Sequence, residues 1–315
     1  MDKWLAPVLS SLSTEFADCR VIVGSKTFEC HKVILASASE FFKGMLLGNF
    51  KESISGEIHL QNVTPEIFEK FRKYVYSYNN QTLNGYENAD LMDLYECGNQ
   101  WLVPSITSDC LSLLSERATA MNLDGLIELY EFAHNYENKS FIQTLTSLMM
   151  TKHSGQLLCE RVLLLGSDVF IQYITTVAKM KPETERYKII EKYLEINGFL
   201  KDINDKEERE INAMTQFDNN ENELNNKAEN NKTEPDTQKA PVKNDNANGE
   251  IKGKLKADFV KSLLCSIDYT KMSVNEFYSG PGKSELLTYK AKYDILYKIA
   301  MKRSPPQPAF GRSFM

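Results

Sequence analysis

The chain has 315 residues, 42% of them apolar, and carries a formal net charge of −6. That length predicts two domains with room for a linker, and that apolar content is enough for real cores. No run of about 18 apolar residues is present to span a bilayer, and the acidic balance argues against general affinity for nucleic acid.

The start, MDKWLAPVLSSLSTEF, lacks a long apolar core and a small-residue cleavage site, so no secretory leader is expected. The six cysteines are scattered and form no CxxC pair. They predict reduced thiols of the cytosol or nucleus, not a zinc site or a disulfide framework. Trp4, Leu5, Val8, Leu9 and Leu12 make an apolar stripe at helical spacing. Val21 and Val23 then alternate with Ile22, as in a half-buried strand. Gly24-Ser25 suits a two-residue hairpin turn, and Thr27 to Cys30 reads as the returning strand. Next, Ile34, Ala38, Phe41 and Met45 fall on one helical face, widened by Leu35, Phe42 and Leu46. This predicts a single apolar helix. The stretch LGNFKES reads as a short polar loop around Phe50, followed by a short strand at 57–60.

Thr64 is placed to cap a helix with Pro65 at its first position, and Ile67, Phe71, Tyr74 and Tyr78 continue one face of it. A polar loop is expected over 79–88. Two helices follow, one through Leu91, Leu94 and Tyr95, the other from Pro104 through Cys110, Leu111 and Leu114. Strands first and helices after make an α+β domain that ends near Arg117. From Met121 onward the pattern is helical only. Asn122 and Asn138 cap two segments expected to form a hairpin. Further pieces run over 169–177 and 189–196, the latter ended by Asn197-Gly198.

Residues 204–250 are rich in Asn, Glu, Asp and Lys, with about 12 acids against about 6 bases. So polar a segment cannot bury enough apolar surface to offset its ordering entropy, and it is expected to be disordered. Order is expected again at Leu255, with Phe259, Leu263 and Ile267 on one face and Ser273 and Glu276 at capping-box spacing. A last helix passes through Tyr289, Ile295, Leu296 and Ile299, and the proline-containing end SPPQPAFGRSFM is not helical.

The order Asp18, Val21, Val23, Phe28, His31, Lys32, Leu35, Ser39, Phe42, Met45 resembles the opening of a BTB/POZ domain. The segments LIELYEFAHNYENKSFIQTLTSLM, ERYKIIEKYLEIN and LLCSIDYTKMSVNEFYSGPGKSELL resemble a BACK domain, the helical module that follows BTB in adaptor proteins. The expected organisation is a BTB/POZ domain over 1–117 and a BACK domain over 121–203 and 251–302. The disordered insert at 204–250 interrupts the BACK domain, and a flexible tail takes 303–315. The resemblance implies a homodimer whose interface includes Trp4, Leu5, Val8, Leu9 and Leu12. It places Asp18 and Lys32 at the charged pair of the dimer groove, although an ion pair or a capping role inside the fold is the reading we prefer. It also aligns Phe50-Lys51-Glu52 with the hydrophobic-x-Glu motif of cullin-binding BTB proteins. Phe50 would enter an apolar pocket on cullin-3 and Glu52 would fix the local loop.

Enzyme signals fail one by one. GPGKS at 280–284 lacks the second glycine that a phosphate-binding loop needs, since that position holds Phe277. Cys30 and His31 are neighbours on a strand, so their side chains point to opposite faces. His59, His134 and His153 have no metal-ligand spacing, and the glycosylation sequons at Asn62, Asn80, Asn138 and Asn231 mean little without a leader. The expected function is a non-catalytic substrate adaptor of a cullin-3 RING ubiquitin ligase, in the cytoplasm or nucleus. No cofactor, nucleic acid or membrane is involved, and the protein substrate is unidentified. The alternative is a BTB-dimer scaffold in a transcriptional or cytoskeletal complex. No kelch repeat, MATH domain or zinc finger is recognisable, which leaves the BACK surface, the acidic insert or the tail to recruit a substrate.

Overall fold

The computed structural model describes residues 14–77, 80–177, 180–199 and 246–303, the side chains of 246–255 and 303 excepted. The expected N-terminal stripe of Trp4, Leu5, Val8, Leu9 and Leu12 lies outside these residues, as do most of the expected insert and the tail. The chain divides into two compact units. The first is Met1–Gly125 with Tyr136–Leu145, and the second is Leu126–Asn135 with Thr146–Met315.

The first unit is α+β. Strand β1 (Cys19–Val23) pairs antiparallel with β2 (Lys26–Cys30) and parallel with β3 (Glu57–Leu60), giving the order β2-β1-β3. The hairpin turns at Gly24, whose φ of 57° an L side chain rarely adopts. Alternation puts Val21, Val23, Phe28, Cys30 and Ile58 inside. The helices α1 (Lys32–Ala38), α2 (Glu40–Leu47), α3 (Lys51–Ser55), α4 (Pro65–Ser77), α5 (Asn88–Gln100) and α6 (Pro104–Ala118) cover this sheet's core. Thr64 caps α4 by accepting from the Ile67 N–H at 3.3 Å. Trp101, in the turn after α5, is 1% exposed, with its ring 4.6 Å from Phe71, 5.6 Å from Phe42 and 5.9 Å from Phe68. Helices α5 and α6 approach closely at Gly98, where a Cβ would stand 2.5 Å from the Ile106 side chain.

Two expectations are corrected here. The single helix from Ile34 to Met45 is two helices, broken at Ser39, which has an extended φ of −141°. Its buried hydroxyl accepts from the Phe42 N–H at 3.0 Å and donates to the Trp101 carbonyl. Apolar spacing runs on through the break because both short helices face the same core, so only the cap residue marks it. The polar loop over 79–88 contains a 3-10 turn, Asn80–Gly85, pinned by buried Leu83 and by Arg117, which donates to the carbonyls of Asn84 and Tyr86.

The second unit is helical. Its elements are most of α7 (Leu123–Asn135), the later part of α8 (Lys139–Lys152), α9 (Glu160–Leu163), α10 (Ser167–Val177), α11 (Glu183–Ile196), α12 (Asn246–Cys265), α13 (Val274–Ser279) and α14 (Tyr289–Arg303). Asn122 and Asn138 cap α7 and α8 as their positions predict, each accepting a backbone N–H at 3.0 Å. Phe170 and Tyr193 stack at 3.6 Å between α10 and α11, and the Tyr193 hydroxyl donates to the Leu165 carbonyl at 2.8 Å. Helix α12 begins at Asn246, so the last residues of the stretch expected to be disordered are helical. The helix runs back from the amphipathic face of Val260 and Leu263, beyond the point where apolar periodicity can be read.

Candidate partner-binding surface

The sequence singles out Phe50, and the local chain explains how it is held. Helix α2 ends at Gly48, where a Cβ would lie 2.3 Å from the Gly44 carbonyl oxygen and 3.1 Å from the Phe50 ring. Glycine there leaves room for one edge of the ring. Phe50 is the N-cap residue of α3, which corrects the polar loop expected around it. Ser53 donates to the Phe50 carbonyl through its hydroxyl at 2.7 Å, and Gly56, at φ 68°, closes the helix by donating to the Glu52 carbonyl. The helix has no fully buried residue. Phe50 stays 58% exposed, Ile54 91% and Leu47 65%. A large aromatic, an isoleucine and a leucine are thus exposed within eight positions, an apolar cluster at the surface.

Glu52 stands half-buried in the first turn of α3, where an acid complements the partial positive charge of the helix start. Asp18 and Lys32 come together through the backbone: an Asp18 carboxylate oxygen accepts from the Lys32 N–H at 2.7 Å, at the start of α1. The Lys32 ammonium instead donates to the Ser53 carbonyl at 3.2 Å. The two residues thus join β1, α1 and α3, so Lys32 steadies the segment that carries Ile54. Leu47 and Ile54 were missed by sequence reading. Leu47 lies off the buried face that Phe42 and Leu46 define, and Ile54 is enclosed by polar KES and S. An apolar residue that no predicted face accounts for was the available signal.

Among the described residues, no Cys–His pair near this surface is arranged for nucleophilic chemistry. Cys30 is buried, while His31 stands at the N-cap position of α1, with no capping bond from its ring. The His31 Nε2–H donates to the Glu15 carbonyl at 2.8 Å, which leaves Nδ1 to accept from the Tyr76 hydroxyl at 3.0 Å. That hydroxyl accepts in turn from the His31 backbone N–H. Burial pushes the Cys30 thiol up to about 11 and the thiols of Cys19, Cys97 and Cys110 up to about 12, so none is a thiolate at neutral pH. A maleimide should therefore label exposed Cys265 first and these four only on unfolding. Peptide mapping of labelled protein checks this, and rapid native labelling of Cys30 would contradict it. GPGKS follows α13 and closes its last turn: the Gly282 N–H donates to the Phe277 carbonyl at 2.7 Å. Among the described residues no cluster of His, Cys, Asp and Glu could hold a metal ion, and no helix is long and apolar enough to cross a membrane.

The family model for the BTB/POZ domain matches residues 9–118. Similar curated proteins include Kelch-like protein 40 of Xenopus laevis, 30% identical over 114 residues, and Kelch-like protein 41 of Mus musculus, 30% identical over 115. Each match takes in 36% of this chain and 18% of the relative. The chain thus spans under a fifth of the length of the curated relatives it matches. Among solved structures, the BTB domain of zebrafish PATZ1 aligns at 20% identity and a TM-score of 0.30, over 35% of this chain and 91% of that one.

Proposed function

We propose that this chain, whose residues 9–118 are a BTB/POZ domain, is a non-catalytic substrate adaptor of a cullin-3 RING ubiquitin ligase. The observation that carries the reading is Phe50. It occupies the position of the hydrophobic-x-Glu motif and stands outward at the head of a helix with no fully buried residue, between exposed Leu47 and Ile54. An aromatic anchor flanked by aliphatic side chains fits an apolar pocket on a partner. In this reading the BTB domain forms a homodimer through Trp4, Leu5, Val8, Leu9 and Leu12. The helices after residue 121, which fit a BACK domain, extend the cullin contact and carry the recruited protein. Ubiquitin transfer belongs to the conjugating enzyme, and the chain works in the cytoplasm or nucleus with no cofactor.

A second reading is a BTB scaffold that joins partners without ubiquitin transfer. It is favoured by the extent of the similarity, which takes in 114 residues and 18% of the length of Kelch-like protein 40. Titrating the purified chain with the N-terminal domain of cullin-3 separates the two. The adaptor reading expects saturable binding, and no binding at tens of micromolar leaves the scaffold.

A further inference from the structure

The last helix, α14, has one buried apolar side chain, Ile299, at 1% exposure. On nearly the opposite side, Tyr289, Tyr293, Tyr297 and Met301 recur every fourth position, at 90%, 70%, 56% and 57% exposure. Residues spaced by four follow one face of a helix, drifting by about 40° at each step. Three tyrosines and a methionine in a row are the residue types enriched where proteins bind, and a helix that needed only to be solvated would carry charges there. The helix is also basic, with Lys290, Lys292, Lys298, Lys302 and Arg303 against Asp294 alone. Among the described residues no ion pair is made by Lys290, Lys292 or Lys298. Lys292 lies over the Tyr289 ring at 5.4 Å, and Lys302 donates to the Thr270 hydroxyl at 3.1 Å.

We propose that this face of α14 is a docking surface for an acidic helical segment of another protein, whose apolar residues lie along the tyrosine row and whose carboxylates meet Lys290 and Lys298. The inference rests on the adaptor reading only in taking that segment to belong to the recruited protein. Charge complementarity selects the acidic partner. Size selects a single helix: the four side chains offer roughly 500 Å², short of the ~800 Å² per partner of a stable globular interface. A helix laid along apolar anchors fits that extent.

The test uses the full chain and two labelled synthetic peptides. Each is an amphipathic helix with leucines on one face, one carrying glutamates on the other face and one carrying lysines. Fluorescence anisotropy should show the glutamate peptide binding at least about tenfold more tightly than the lysine peptide. Tyr293→Gln with Tyr297→Gln, a good helix former at exposed positions, should weaken it by about tenfold or more with an unchanged melting curve. Lys290→Glu with Lys298→Glu should abolish the preference for the glutamate peptide. Equal binding of both peptides, or binding indifferent to the tyrosines, overturns the proposal. So does binding that appears only after Glu207→Gln, Glu208→Gln and Glu210→Gln, since the chain's own acidic stretch would then hold the face. A self-associated chain that the tyrosine substitutions dissociate overturns it too, in favour of a second copy. Cullin-3 binding is read separately. Cullin binding without peptide binding loses only this surface, and peptide binding without cullin binding keeps the surface and loses the adaptor.

Discussion

Trp101→Ala should destabilise the first unit by about 3–5 kcal/mol, the cost of emptying a large aromatic site in a core that cannot collapse around it. The indole packs against Phe42, Phe68 and Phe71 with ring centres 4.6 to 5.9 Å away, and two of the three contacts are edge-to-face. Such pairs add roughly 0.5–1.5 kcal/mol beyond area alone. Its carbonyl also receives the buried Ser39 hydroxyl, so a shift of the turn disturbs the break between α1 and α2. Urea unfolding followed by circular dichroism reads the loss, and a change below about 1 kcal/mol, as at surface sites, would show that this cluster is not the core.

Arg186→Met should cost the second unit about 3 kcal/mol or more. Arg186 and Glu183 form a buried ion pair on α11, with side chains only 4% and 8% exposed. Arg186 also donates to the Ser266 carbonyl at 3.2 Å, which joins α11 to the residue after α12. Removing the guanidinium leaves a buried carboxylate whose other cation, Lys271, stands 3.6 Å away and is largely exposed. That exposed ammonium replaces little of the lost attraction. The double variant Glu183→Gln with Arg186→Met should be more stable than Arg186→Met alone, because the stranded charge is gone. Equal stability of the two would show that the pair's charge is not what matters.

Local chemistry made much of this fold legible. Gly24 marked the hairpin, Thr64-Pro65 and Asn122 marked helix starts, and Ser273 with Glu276 forms the capping box that their spacing predicts. Each is a signal carried within a few residues. The misses needed distant partners. Nothing near 57–60 says that β3 lies parallel to β1, because a parallel pairing depends on where the intervening helices return the chain. Trp101 has no periodic companions, and its neighbours lie thirty or more positions away. Nothing in the residues around Glu183 and Arg186 marks the pair as internal, and only the folded chain shows both buried. At the candidate surface, Phe50 was legible through the residues around it. Leu47 and Ile54 became visible only once α2 and α3 showed that neither points inward.

The adaptor account is tested most directly at Phe50. The measurement is a calorimetric titration of the cullin-3 N-terminal domain into wild type, Phe50→Ala and Ile54→Ala, with melting curves alongside. Phe50 is more than half exposed, so its truncation should change stability by well under about 1 kcal/mol. Binding should weaken by about 2 kcal/mol, some thirtyfold, for Phe50→Ala, and by a smaller factor for Ile54→Ala. Tight wild-type binding that survives in a well-folded Phe50→Ala protein would contradict the account.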